Sequence, residues 1–339
     1  EGTIANANAT WETSTQQNLK ISADLIEKIN FEIDLYKSER KDILMERRTV
    51  PSFVGFPDLP DANIGRTKSH GYELKVGWND NLGTDFNYFI NFGTSFTENR
   101  IVYRDDPAGL DKYLKQAGKP IGWNSRRIAG QLYQSIDDIF NGPNQNNGAG
   151  LSNLVPGDIL FVDYNGDGVA DANDQVPMKD LTYPQRTYNL NLGFTWKNLG
   201  FNALLYGVTD VAYNYPGIFY FDFQGGFVQA QPDVLTRWTP QTASTAQKPA
   251  LHLSDNHNTT NSTLLYKDGS YLRLKNVEIN YLFTNDFLKV VGLNTLQLYA
   301  NGNNIITWSK LGDSVDPETN GSGNYPIVKR YNVGLRATF

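Results

Sequence analysis

The stretch Lys329-Arg330-Tyr331-Asn332-Val333-Gly334-Leu335-Arg336-Ala337-Thr338-Phe339 decides the fold. Tyr331, Val333, Leu335, Ala337 and Phe339 are apolar, and Asn332, Gly334, Arg336 and Thr338 between them are not. A period of two predicts a strand with one apolar face. The nine residues from Tyr331 to Phe339 match the roughly 9 to 11 that a tilted strand needs to cross a bilayer. A full-length apolar stripe with an aromatic at each end suits a surface facing lipid.

Composition agrees with that reading. Aromatic residues make up 13% of the 339 residues, yet mean hydropathy is −0.46. A transmembrane barrel reconciles the two, because outward apolar residues alternate with inward polar ones and long polar loops lower the average. A large soluble β-protein reconciles them nearly as well. No run of some 18 apolar residues exists, which excludes a transmembrane helix. The chain has no cysteine, so disulfides contribute nothing. A net charge of −6 argues against nucleic acid as a partner. Glu1 to Thr10 have neither a basic start nor an apolar core, so no signal peptide is read there.

Outward from the last strand, eight more alternating stretches are predicted: Trp11 to Asp24, Ile29 to Leu35, Tyr72 to Trp78, Phe86 to Gly93, Tyr188 to Trp196, Phe201 to Val208, Tyr271 to Phe283 and Leu296 to Ala300. Short turns are expected at Leu25 to Lys28, Asp80 to Gly83, Lys197 to Gly200 and Thr284 to Asn294, and long loops at about 37–66, 100–185, 210–268 and 308–326. A further short strand is expected near Arg127 to Tyr133. Short turns alternating with long loops match the periplasmic turns and extracellular loops of outer-membrane barrels. Nine is an odd count, whereas a complete bacterial single-chain barrel has an even one. The expectation is therefore the C-terminal part of a transmembrane antiparallel β-barrel, with its remainder N-terminal to Glu1.

Specific blocks resemble a family. Trp11-Glu12 with Asn18, Asn63-Ile64-Gly65 followed by Gly71-Tyr72-Glu73, and Pro156-Gly157-Asp158 running into Asp163-Tyr164-Asn165-Gly166-Asp167-Gly168 are similar to landmarks of the SusC/RagA-like TonB-dependent transporters of the Bacteroidota outer membrane. Later blocks follow in the same order: Trp238-Thr239-Pro240, Ser270 to Val277, Gly302-Asn303-Asn304, Asp316-Pro317-Glu318 and Tyr325-Pro326. The ending Tyr331, Val333, Leu335, Ala337 and Phe339 also resembles the C-terminal signal that outer-membrane assembly machinery reads. The resemblance implies a barrel of the size class of about 22 strands with a plugged lumen. It further implies import of oligosaccharide or peptide, a SusD-like surface lipoprotein as lid, and energy from the TonB complex. The family's plug domain, TonB box, N-terminal barrel strands and usual N-terminal extension find no counterpart in these blocks.

Asp163, Asn165 and Asp167, Gly168 at the sixth position, Val169 at the seventh, Asp171 at the ninth and Asp174 at the twelfth follow the spacing of a calcium loop. Oxygens at alternate positions converge as such a chain turns, the seventh residue adds a carbonyl and glycine permits the bend. Structural Ca²⁺ is the functional reading and an acidic surface turn the alternative. The run Tyr213, Tyr215, Phe219, Tyr220, Phe221, Phe223 and Phe227 suits stacking on sugar or burial against a partner, and self-packing equally well. Asn87, Asn91, Asn189, Asn191, Asn276, Glu278 and Asn280 are read as inward, lining a solute path or holding a plug and water. His70, His252 and His257 show no zinc or triad arrangement and are read as loop residues, and no enzyme activity is expected. Two other readings compete with the transporter: a secreted, calcium-stabilised soluble β-domain that binds glycans, and a small complete porin, which the odd count and long loops oppose. Detergent dependence on fractionation separates the first of these from a barrel.

Overall fold

The structure is a computed structural model that describes residues 6–49, 60–145, 154–223, 226, 228–252, 257–284, 288, 290, 292–319 and 325–339. Nine strands form one antiparallel meander. They are β1 (Thr13–Leu25), β2 (Ile29–Met45), β3 (Ala62–Leu82), β4 (Phe86–Tyr103), β5 (Arg186–Trp196), β6 (Leu199–Thr209), β7 (Tyr271–Phe283), β8 (Thr295–Ser309) and β9 (Arg330–Thr338). Each strand pairs with its neighbours in sequence, and among the described residues β1 pairs only with β2 and β9 only with β8.

Register turns local alternation into a continuous surface. Ala23, Phe31, Val76, Phe92, Leu190 and Leu205 stand opposite one another in one row. Tyr88, Phe194, Phe201, Ile279, Ala300 and Val333 form another on the same face. Directly opposed residues share a face, so every strand contributes to one apolar side. Val333 is 79% exposed and Phe339 85%. Such a surface is costly in water, at roughly 25 cal/mol per Å², and is satisfied by lipid. The other face carries rows such as Glu32, Lys75, Gly93, Asn189 and Tyr206 or Asn202, Glu278, Asn301 and Asn332.

Several boundaries depart from the sequence reading: β4 and β8 run on to Tyr103 and Ser309, past the expected Gly93 and Ala300. The irregular stretch expected at 37–66 is strand as far as Met45 and again from Ala62. Lys37 to Asp42 lack a clean period because this hairpin projects beyond the bilayer: the 21 residues of β3 extend about 70 Å at 3.3 to 3.4 Å per residue, more than a 30 Å hydrocarbon layer requires. Where both faces meet water, backbone pairing suffices and alternation is not needed. The turn expected at Asp80 to Gly83 lies at Gly83 to Asp85 instead, with Gly83 at φ 71°. Asp80 remains in β3 and pairs with Lys28 of the preceding turn at 2.8 Å.

Most buried hydrophobic residues sit in the long connections, while Val208 of β6, Val211 and Tyr271 of β7 form a further cluster at the edge of the sheet's loop end. Between β4 and β5, Ser125–Arg127 pairs with Gln175–Pro177 and Ala129–Leu132 with Ile159–Phe161. Helix α1 (Ile136–Asn141) carries a capping box between Ser135 and Asp138. Tyr133, Ile139 and Leu154 pack together, as do Ile159, Phe161 and Ala170. No helix among the described residues is long and apolar enough to cross a membrane.

Candidate functional site

The acidic loop is built by its own carboxylates. Asp163 accepts from the amides of Gly166 and Gly168 at 2.8 and 2.7 Å. Asn165 accepts from Asp167, and Asp167 from Val169, each at 2.9 Å. Asp174, fully buried, takes the amides of Tyr164 and Asp171 at 2.7 Å on separate oxygens, and Asp171 caps a single turn at Ala172–Asp174. Gly166 and Gly168 adopt φ 76° and 88°, as a sharp acidic bend demands. These oxygens point at backbone amides, and among the described residues no group of three or more acidic, histidine or cysteine side chains is placed to hold a metal. Tyr113 packs edge-on against Tyr164 at 4.8 Å. Burial, followed by the nearby carboxylates, raises its phenol above the usual range.

Next to this loop Asp158 forms a hub. Its buried carboxylate meets His252 Nε2 at 2.6 Å and accepts from Asn258 Nδ2 and the Val155 amide, both at 2.9 Å. Asn258 accepts from the Ile159 amide, and His257 Nε2 meets the Ile159 carbonyl at 2.6 Å. His252 and His257 therefore lie in loops as read, but as struts joining segments about 100 residues apart. His70 is a correction: it lies inside β3, opposite Lys37 and Glu98.

Of the aromatic run, Tyr213 is buried with its hydroxyl donating to Thr319 O at 2.8 Å. Tyr215, Phe219, Tyr220 and Phe221 are partly buried. Tyr220 faces Lys248 Nζ at 5.3 Å, and burial pushes its phenol up to about 12. Lys248 is itself buried, at 3.1 Å from Asp222 and 2.7 Å from Asp233. Phe223 is exposed, and Phe227 lies outside the described residues.

The inner face gathers Asn87, Asn91, Asn189, Asn191, Asn276, Glu278 and Asn280, brought together by register. Sequence reasoning missed what happens where this wall meets the β8–β9 connection. Arg273 pairs with Asp316 at 2.7 Å and Glu318 at 3.5 Å, and Tyr271 donates to Glu318 at 2.9 Å. Both blocks had been singled out, but only their opposite charges hinted at a contact. Of the last strand's residues, Tyr331, Val333, Leu335, Ala337 and Phe339 all stand exposed.

No family model matches the chain. It is 28% identical to the TonB-dependent receptor P3 of Formosa agariphila, an alignment covering 99% of this chain and 35% of that protein. Identity to the TonB-dependent receptor SusC of Bacteroides thetaiotaomicron is 23%, covering 98% of the chain and 32% of SusC. Among solved structures, the RagAB peptide importer in its open-open state superposes with a TM-score of 0.74 at 21% identity, covering 99% of this chain and 36% of that one. The chain spans about a third of the length of the relatives it matches. It is thus similar to SusC/RagA-like TonB-dependent receptors along nearly its whole length. Its nine strands are part of a transmembrane antiparallel barrel of that kind, and its place is the bacterial outer membrane.

Proposed function

We propose that this chain supplies part of the wall and the extracellular loops of a TonB-dependent importer, and that it is a transport component rather than an enzyme. One observation carries the reading: a nine-stranded meander, apolar on one face and polar on the other, that aligns over nearly its own whole length with about a third of the length of named TonB-dependent receptors. Unpaired strand edges are not tolerated in hydrocarbon, so the free edges of β1 and β9 call for further strands to complete a barrel. The cargo is an oligosaccharide or peptide. A SusD-like lipoprotein captures it over the loops, and the TonB complex drives its release inward through a plug outside this chain.

The spacing from Asp163 to Asp174 supports a structural Ca²⁺ as a second element of the proposal. Lone pairs of Asp163, Asn165 and Asp167 and the Val169 carbonyl would hold it, with Asp171 and Asp174 turning from their amides. Deletion of the full-length gene in its own organism, followed by growth on single oligosaccharides and on peptide, tests the import reading. Loss of growth on one such nutrient, restored by the intact gene, is expected. Unchanged growth on all of them, or recovery of the protein outside the outer membrane, would overturn it.

A further inference from the structure

Toward the loops, the outward face of β2 to β4 changes from apolar to charged. Leu35, Tyr72 and Phe96 stand opposite one another as its last apolar row, with the Tyr72 and Phe96 rings 5.9 Å apart. The next row is Lys37, His70 and Glu98, and the one beyond it Glu39, Lys68 and Arg100. Side chains two positions apart on a strand share a face, so both rows continue the lipid-facing side. Tyr36, one position off, turns the other way and lies on Gly71, where a Cβ would come within 2.6 Å of the ring carbon Cζ. Successive rows climb about 5 Å on a strand tilted by about 45°, which brings the two charged rows level with lipid head groups. Arg100 meets Glu98 at 2.6 Å and Lys41 holds Glu39 at 3.7 Å. Lys37, Lys68 and, two positions further along β3, Arg66 are exposed and form no ion pair among the described residues. This surplus of cations is local, in a chain whose net charge is −6. At the loop end of β7 and β8, Leu272 opposite Trp308 and Leu274 opposite Ile306 keep the outward face apolar, and Lys310 beyond them is compensated by Asp268 at 2.9 Å.

We propose that this patch binds the phosphate of an outer-leaflet lipid head group, with Lys37, Lys68 and Arg66 as its cations and Leu35, Tyr72 and Phe96 against the upper part of the acyl chains. Lysine and arginine carry only donors and full positive charge, which suits a phosphate and not a neutral head group. Basic side chains at a membrane surface gain from anionic lipid, by about fivefold in affinity for each residue. The patch is continuous with the apolar surface below it, so a phosphate that brings its own acyl chains engages both, whereas a free phosphate engages only the cations. The site faces away from the lumen and does not depend on the cargo.

The test uses the full-length protein purified from outer membranes into a neutral detergent and titrated with fluorescent diphosphoryl lipid A, with the dephosphorylated lipid and inorganic phosphate as counter-probes. The phosphorylated lipid should bind saturably and the dephosphorylated one at least tenfold more weakly. Replacing both lysines, Lys37→Gln with Lys68→Gln, should weaken binding by about tenfold or more, while Lys37→Arg with Lys68→Arg should stay within about threefold. Lys310→Gln, which removes a cation already paired, should change it by less than about twofold. Both lysines are exposed, and Lys68→Gln alone, with a loss of about fivefold, decides the matter if the double variant fails to assemble. Equal affinity for the two lipids, or a Gln variant that binds as the unaltered protein does, would overturn the site. Binding of inorganic phosphate as tight as that of the lipid would overturn the lipid assignment in favour of a free anion.

Discussion

Arg273 and Asp316 meet at 2.7 Å with Arg273 only 1% exposed, although β7 points this side chain to the inner face of an open sheet. It is covered because the β8–β9 connection folds inward over it. Asp316 also accepts from the Glu318 and Ile327 amides, so one carboxylate joins the wall to both arms of the loop. Removing one partner of a buried pair strands the other. Arg273→Ala should therefore cost roughly 3 to 5 kcal/mol, read as a lower unfolding midpoint in detergent, with faster proteolysis between Leu311 and Thr319.

The outward face gives a depth-dependent expectation. Leu190 stands between Phe92 and Leu205 near the middle of β5. Leu190→Arg, or Val333→Arg on β9, should cost roughly 2 to 4 kcal/mol if placed mid-bilayer. Denaturant unfolding in liposomes measures this. Asn191→Arg, one residue away on the wet face, should cost clearly less, and equal costs would refute the assignment of faces.

Gly334 is required by Tyr299. A Cβ at Gly334 would lie 2.5 Å from Tyr299 Cζ, and the Arg336 guanidinium lies over the same ring at 5.6 Å. Gly334→Val should destabilise by about 1 to 3 kcal/mol. Adding Tyr299→Ala should recover part of that loss, a non-additivity that a double-mutant cycle measures directly.

Asp105 supplies a pH dependence outside the membrane. Hydrogen bonds from the Thr49 hydroxyl and amide, with the Arg48 amide at 2.8 Å, hold its carboxyl below the ordinary 3.8. The stability it contributes is present above that value and is lost as pH falls through the depressed one. Hydrogen-exchange protection of the Arg48 and Thr49 amides, normalised for intrinsic rates, should hold at pH 5 and fall below about pH 3.8. Asp105→Asn should remove this dependence.

For the acidic loop, calcium at a hundredfold excess over its dissociation constant should stabilise by about 2.7 kcal/mol. Thermal melting with Ca²⁺ and with chelator reads it, and Asp163→Ala should abolish the difference. Identical melting curves would mean that the amide bonds to Asp163 and Asp174 are all that brace this loop.

Much of the wall was legible because its signal is local. Tyr271 to Phe283, predicted as a strand, is β7 residue for residue, and Tyr188 to Trp196 lies within β5. Alternation is enforced wherever one face meets lipid, and it fails to mark Lys37 to Met45 because water on both faces removes that demand. The acidic spacing was legible as a bend, since Asp163, Gly166 and Gly168 act within a few residues of one another. The hub at Asp158 and the Lys248 pairs with Asp222 and Asp233 were not, because no local period connects side chains across a long loop.

The sequence by itself determined a membrane-crossing antiparallel wall, its lipid face and the end on which the long loops emerge, since strand period and turn chemistry depend only on near neighbours. Only the tertiary structure decided which inward residues meet. Register carries Gly71 beneath Tyr36, and loop folding carries Asp316 onto Arg273, 43 residues away. Loop-closure entropy changes slowly with length, so the chain between such partners specifies no contact. Packing and charge compensation choose it once the wall has formed.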